Sequence, residues 1–205
     1  MKFKDSIFIG LDLSLTNSGI CILEGTESKL FQVPTKLKDF THTEQRVRYI
    51  AMEVIRKIKE HIDKSKYKQI ICGVEDYAMN ARVGKTLDRA EVGGVVKQAI
   101  WNLTGKPPFK MNNKTMKVFL TGKGNVQKSH HLMYAFEKYR IKFPNDDVCD
   151  AFVVAKLLQA LFRKPEGLFK YERDSVKATI KYASNRAKLI ETGLWELVPH
   201  KGEAK

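Results

Sequence analysis

Cysteine is scarce in this chain, and its placement argues against pairing. Cys21, Cys72 and Cys149 are odd in number, far apart and without CxxC spacing. That excludes a disulfide framework and the usual zinc sites, and each is expected as a buried, reduced thiol. Long apolar runs are also missing. Asp5 and Asp12 interrupt the N-terminal stretch, which argues against a signal peptide. No apolar segment approaches the roughly 20 residues of a membrane span, so a cytoplasmic protein without a membrane partner is expected. Acid is in short supply too. The chain has 23 Asp and Glu against 37 Lys and Arg, a net charge of +14. Such an excess favours nucleic acid, or an anionic membrane surface. Its clustering in loops and towards the C-terminus favours nucleic acid. What is present in quantity is apolar residue, 43% of 205, enough for a real core and too much for a disordered chain.

The apolar pattern gives the organisation. Ser6–Asp12 and Ser18–Leu23 read as two strands joined by a short hairpin-like turn, with a third strand over Lys29–Val33. Thr41 and Glu44 fit a capping box. Val47, Ile50, Ala51, Val54, Ile55, Ile58 and Ile62 then recur at helical spacing over Thr43–Lys64. A buried strand follows at Lys68–Asp76. Ala78–Lys85 reads as a polar loop and Thr86–Leu103 as a helix. Met116–Thr121 is expected as a strand and Gln127–Tyr139 as a helix. Asp147–Phe162 forms a further helix, and a basic helix lies near Arg173–Ile190. The order predicts an α/β fold, a mixed five-stranded sheet flanked by helices. Residues 1–164 form one domain, and 165–205 a basic C-terminal extension.

Four acids stand where apolar segments begin or end. Asp12 closes Ile7–Leu11, Glu75 follows Ile70–Val74, and Asp147 and Asp150 open the helix that runs through Ala151–Ala155. The spacing of Asp147 and Asp150 puts both on one helix face, continuing its apolar stripe. They also occupy the first turn, where the helix dipole favours negative charge. Ligands of such sheets bind beyond the carboxyl ends of the strands, where Asp12 and Glu75 fall. Converging carboxylates repel unless cations lie between them. Hard oxygen ligands suit Mg²⁺, and two carboxylate-bridged ions would serve phosphodiester hydrolysis.

In order and spacing these residues resemble the RuvC-type Holliday junction resolvases of the RNase H-like superfamily. The resemblance rests on Ile9-Gly10-Leu11-Asp12 with Thr16-x-x-Gly19, on Val74-Glu75, and on Asp147-x-x-Asp150-Ala151. Met116 to Gly124, continuing to Lys128-Ser129, looks like that family's strand-turn-helix. The match runs from about Phe3 to Leu161. It implies an RNase H-like fold and a homodimer that nicks two strands of a four-way junction, with Mg²⁺ or Mn²⁺. Carried over by position, Asp12, Glu75, Asp147 and Asp150 would be metal ligands and catalytic. Lys117 and Lys128 match basic positions near the scissile phosphate. Asp146 does not match and is expected as an N-cap. The chain departs from the family at Leu13-Ser14, where proline and glycine are usual. It departs again at Ala78, where the family often carries an aromatic tied to junction stacking.

Tyr77, Arg82, Lys85, Arg89, Lys110, Lys114 and Lys123 surround these segments and are expected to contact DNA. Tyr77, Trp101 and Phe109 could stack bases, with core packing favoured for Trp101. Gly93 and Gly94 inside a helix suggest close approach of another backbone, either a two-fold partner or the sheet. His130-His131 has no acidic or cysteine partner at ligand spacing and reads as surface or partly buried. Gly84-Lys85-Thr86 resembles the end of a phosphate loop, but Met79 stands where glycine is required. The tail's Lys170, Arg173, Lys177, Lys181, Arg186 and Lys188 either grip DNA flanks or face solvent.

The reading is a metal-dependent, structure-selective endonuclease that resolves Holliday junctions and other branched DNA, with no small-molecule substrate. Its alternatives are a non-catalytic branched-DNA-binding protein and an actin-like ATPase or sugar kinase fragment. The second is suggested by the likeness of Gly10–Thr16 to that class's first phosphate motif. That class needs a second lobe and a later glycine-rich adenosine loop, and the chain shows neither.

Overall fold

Period-two alternation along the first strand decides the layers. In β1 (Ser6–Asp12), Ile7, Ile9 and Leu11 join one apolar cluster, and Phe8 joins another on the opposite face. The computed structural model describes residues 6–62, 69–76, 83–162 and 167–195 with Val198, and for 83–86 and 128–129 the backbone alone. β2 (Asn17–Glu24) pairs antiparallel with β1, and β3 (Glu27–Pro34) antiparallel with β2. β4 (Gln69–Glu75) lies parallel on the other side of β1, and β5 (Phe109–Met111) parallel to β4. The mixed sheet has the order β3-β2-β1-β4-β5.

One face is covered by α1 (Thr43–His61) and α2 (Val83–Thr104). The opposite face carries α5 (Asp146–Phe162), whose residues from Val148 to Phe162 are almost all buried. Around it lie α3 (Asn113–Thr121) and α4 (Lys128–Tyr139). α6 (Lys170–Lys181) and α7 (Ala183–Glu191) follow. Val176, Leu189, Leu194 and Val198 share the apolar cluster of α5, so the C-terminal helices build onto the core of the sheet. A buried ion pair joins α4 to α6, with Lys138 Nζ 2.7 Å from Glu172. Glu172 also accepts from the Phe169 amide, closing the start of α6.

Several sequence expectations are corrected. Met116–Thr121 is helical, because Met116, Phe119 and Leu120 are the buried positions, a helical spacing. Asn112 caps that helix and Gly122, at φ 74°, ends it. The fifth strand is instead Phe109–Met111, so the expected strand-turn-helix is a helix-turn-helix. The cap of α1 is His42 rather than Thr41, accepting from the Gln45 amide. Asn145, not Asp146, caps α5, its Oδ1 taking the Val148 amide at 2.9 Å. α2 begins at Val83, inside the expected loop. The basic tail helix is two helices, broken where Tyr182 turns extended. All three cysteines are buried and unpaired. Among the described residues, no helix is long and apolar enough to cross a membrane.

Candidate active site

Glycine sets how near α5 approaches the sheet. On its face of the sheet, Phe8, Gly10 and Asp12 alternate along β1, and Ile71, Gly73 and Glu75 along β4. A Cβ on Gly10 would lie 1.9 Å from the Ala151 carbonyl oxygen and 2.6 Å from the Ala155 amide. At Gly19, the register partner of Asp12, it would lie 2.1 Å from the Asp147 carbonyl oxygen. Backbone therefore rests directly on backbone, and the first turn of α5 is seated beside the end of β1. Asn145 holds that turn from outside, its Nδ2 donating to Gln32 on β3 at 2.7 Å.

The parallel register of β1 and β4 brings Asp12 and Glu75 side by side, one residue past the Leu11–Val74 pair. Asp150 projects from α5 onto the same edge. One carboxylate oxygen from each of Asp12, Glu75 and Asp150 lies within 4.8 Å of the other two. Oxygens about 2.1 Å from a Mg²⁺ ion stand roughly 3–4 Å from one another, so the triad fits a divalent cation with slight closure. Asp12 is only 6% exposed. Burial pushes its carboxyl well above the ordinary value, and Glu75, Asp150 and Asp147 push it further, against a smaller opposing pull from Arg89.

Asp147 stands beside this triad rather than in it. Its Oδ2 accepts from Asn17 Nδ2 at 2.7 Å. The β1–β2 turn presents Asn17 through Ser14, whose hydroxyl donates to the Asn17 carbonyl at 2.7 Å and accepts from its amide at 3.0 Å. The departure at Leu13-Ser14 thus has a physical role, since Leu13 is buried under α1 while Ser14 ties the turn. Asn113, at the start of α3, donates to Glu75 Oε1 at 2.6 Å. His131 Nδ1 lies 3.2 Å from Asp150 Oδ1, and its ring is buried. That corrects the expectation of a surface or partly buried ring without an acidic partner.

Asn17, Asn113 and His131 were not marked in the sequence as site residues. Only His131 had a signal, its place one turn after Lys128 on α4.

The expected basic residues scatter more widely. Arg89 on α2 is near enough to act on Asp12. Lys110 is partly engaged, 3.3 Å from Asp76. Lys114 and Lys123 are exposed around α3, and Lys117 on α3 makes no ion pair with the four acids among the described residues. Tyr77 and Arg82 lie outside the described residues, as do the side chains of Lys85 and Lys128. Phe109 is buried against Phe162 and unavailable for bases. Trp101 is 43% exposed rather than packed in the core.

A five-stranded mixed sheet of this order, with one helix pressed on the acid-bearing strand, defines an RNase H-like fold. More narrowly, the fold is similar to that of solved RuvC structures. The structure of Thermus thermophilus RuvC in complex with a Holliday junction substrate matches at TM-score 0.57 and 17% identity, covering 73% of this chain and 90% of that one. A second Thermus thermophilus RuvC structure matches at TM-score 0.53 and 20% identity, with the same coverage. No protein-family model matches the sequence, and neither does any curated protein.

Proposed function

We propose that this protein is a Mg²⁺-dependent endonuclease that cuts branched DNA, four-way junctions foremost, as a homodimer in the cytoplasm. The observation carrying this reading is the convergence of Asp12, Glu75 and Asp150 at cation spacing in a chain of net charge +14. Those three would hold one ion, and Asp147, steadied by Asn17, would help hold a second. Bound there, divalent cations, Mg²⁺ or Mn²⁺, supply an activated water and charge stabilisation for the departing 3′ oxygen. Asn113 keeps Glu75 turned to the site, and His131 does the same for Asp150. Arg89 offers a cation to the scissile phosphate, and Lys128, at the start of α4, would offer another. Arg82, Lys85, Lys110, Lys114 and Lys123 would neutralise phosphates along the backbone of the DNA, Tyr77 would stack on a base, and Lys117 would supply charge near the cut.

The test is nicking of labelled four-way junctions, flaps, forks and linear duplex, with Mg²⁺, Mn²⁺ or chelator. Cutting of junctions that chelator abolishes is expected. Binding of junctions without cutting by any metal would overturn the nuclease reading, and equal cutting of linear duplex would remove the selectivity for branches.

The support for a dimer is the outer stripe of α2. Leu87, Gly94 and Trp101 recur every seven residues, with Val95 beside them, and Leu87 is 64% exposed. A Cβ on Gly94 would meet nothing within 4 Å, so the glycine leaves room for a second helix, while Gly93 faces inward. Alongside runs an apolar groove of about 650 Å³ between α1 and α2. Light scattering at micromolar concentration is expected to give a dimer mass for the wild type. Val95→Glu with Trp101→Glu is expected to give a monomer with the fold intact. A wild-type monomer would sink the paired-cut model.

A further inference from the structure

The α7 helix packs on β5, the edge strand that ends beside Glu75. Asn185, fully buried at the start of α7, uses its side chain as a strand would use its backbone. Its Oδ1 accepts from the Lys110 amide at 2.8 Å and its Nδ2 donates to the Lys110 carbonyl at 2.7 Å. A second bond from Nδ2 to the Thr179 carbonyl, at 3.2 Å, locks that side chain to the end of α6. Lys188, one turn on, donates to the Pro108 carbonyl. Edge strands expose unpaired amides and carbonyls, and here the elbow satisfies them.

Tyr182, at the elbow itself, donates its hydroxyl to Asp76 Oδ2. Asp76 also pairs with Lys110 Nζ at 3.3 Å and donates its amide to the Met111 carbonyl at 2.8 Å. Asp76 directly follows Glu75, and two residues beyond Met111 stands Asn113, the donor to Glu75. The elbow therefore grips the chain just past the end of β4, next to Glu75, and β5, which leads into the Glu75 donor Asn113 at the start of α3.

We propose that the α6–α7 elbow is a brace for the metal edge, with Tyr182 and Asn185 as positioning residues that set the Glu75 carboxylate for cation binding. The proposal rests on the metal-site reading above. It gives the C-terminal segment a role in ion affinity, distinct from a grip on DNA flanks.

The experiment is Mn²⁺ binding to the full chain, followed by electron paramagnetic resonance, for wild type, Tyr182→Phe and Asn185→Ala. Dissociation constants for four-way junctions in chelator and melting temperatures are measured in parallel. Loss of a partner behind a metal ligand typically weakens metal affinity by 10-fold or more. Tyr182 reaches Glu75 only through its neighbour Asp76, so Tyr182→Phe is expected to weaken Mn²⁺ binding about 3-fold, less than loss of a direct partner would, with junction affinity and melting temperature nearly unchanged. Asn185→Ala is expected to weaken it further. Should Asn185→Ala fail to fold, Tyr182→Phe alone decides. Unaltered Mn²⁺ affinity in Tyr182→Phe overturns the brace and leaves the metal site standing. A wild type that binds no Mn²⁺ overturns the metal site and the brace together. Weakened junction binding in chelator with Mn²⁺ affinity intact would make the elbow a DNA contact instead.

Discussion

Asp12→Asn is expected to abolish cutting and, in the absence of metal, to raise the melting temperature at neutral pH. The first effect follows from removing the ligand at the centre of the acidic set. Metal-ion stabilisation is worth several kcal/mol of barrier, so roughly 10³-fold or more in rate should vanish. The second follows from linkage. Burial and its acidic neighbours raise the Asp12 carboxyl in the folded state above its ordinary value of 3.8. Between the unfolded and folded values the native state binds more protons than the unfolded one, so stability falls as pH rises through that window. Above the folded value the full penalty applies unless a divalent cation offsets it. Asparagine has nearly the same shape and no charge, so it removes the penalty. Thermal melts of metal-free wild type and variant across pH 3 to 8 would check this. The curves should nearly meet at the acid end and separate in the variant's favour upwards. Added Mg²⁺ should raise the wild type and leave the variant unmoved. A metal-free variant less stable than wild type at pH 7 would contradict the electrostatic account.

Gly10→Ala is expected to destabilise the fold by about 3 kcal/mol or more, and Gly19→Ala by a similar amount. In both cases the added methyl meets backbone atoms of α5 at 1.9–2.1 Å, and backbone cannot turn aside. Relief requires the helix to lift from the sheet, which would also carry Asp147 and Asp150 away from Asp12. Gly73→Ala provides the contrast. Its methyl would meet the side chains of Leu158 at 2.8 Å and Val154 at 3.0 Å, and side chains can change rotamer. A cost of about 1 kcal/mol and retained cutting are expected there. Chemical denaturation of the three variants measures the difference. Equal, small effects at all three positions would mean that close approach of α5 does not seat the acids.

Local pattern was enough for much of this molecule. Apolar runs over Ile7–Leu11 and Ile70–Val74 made both strands legible, with Asp12 and Glu75 at their carboxyl ends. Helical spacing made α1 and α5 legible, and with α5 the shared face of Asp147 and Asp150. That Asp12 and Glu75 fall at one edge was expected from where their strands end, whereas the parallel pairing of β1 with β4 that sets them side by side is a feature of the fold.

Tertiary structure decided the rest, where distant contacts outweigh local preference. The stretch Met116–Thr121 is apolar enough for a strand, yet packing on three inward positions makes it a helix and leaves Phe109–Met111 as the fifth strand. The acids resolved into a close triad and a neighbour because Asn17, 130 residues away in sequence, turns Asp147 towards itself. His131 met Asp150, and Asn185 met Lys110, through contacts between segments far apart along the chain. The sequence by itself determined which acids lie at one edge of the sheet, since that depends on period and order. Only the folded chain determined which of them could share an ion and what holds them there, since that depends on hydrogen bonds between segments far apart along the chain.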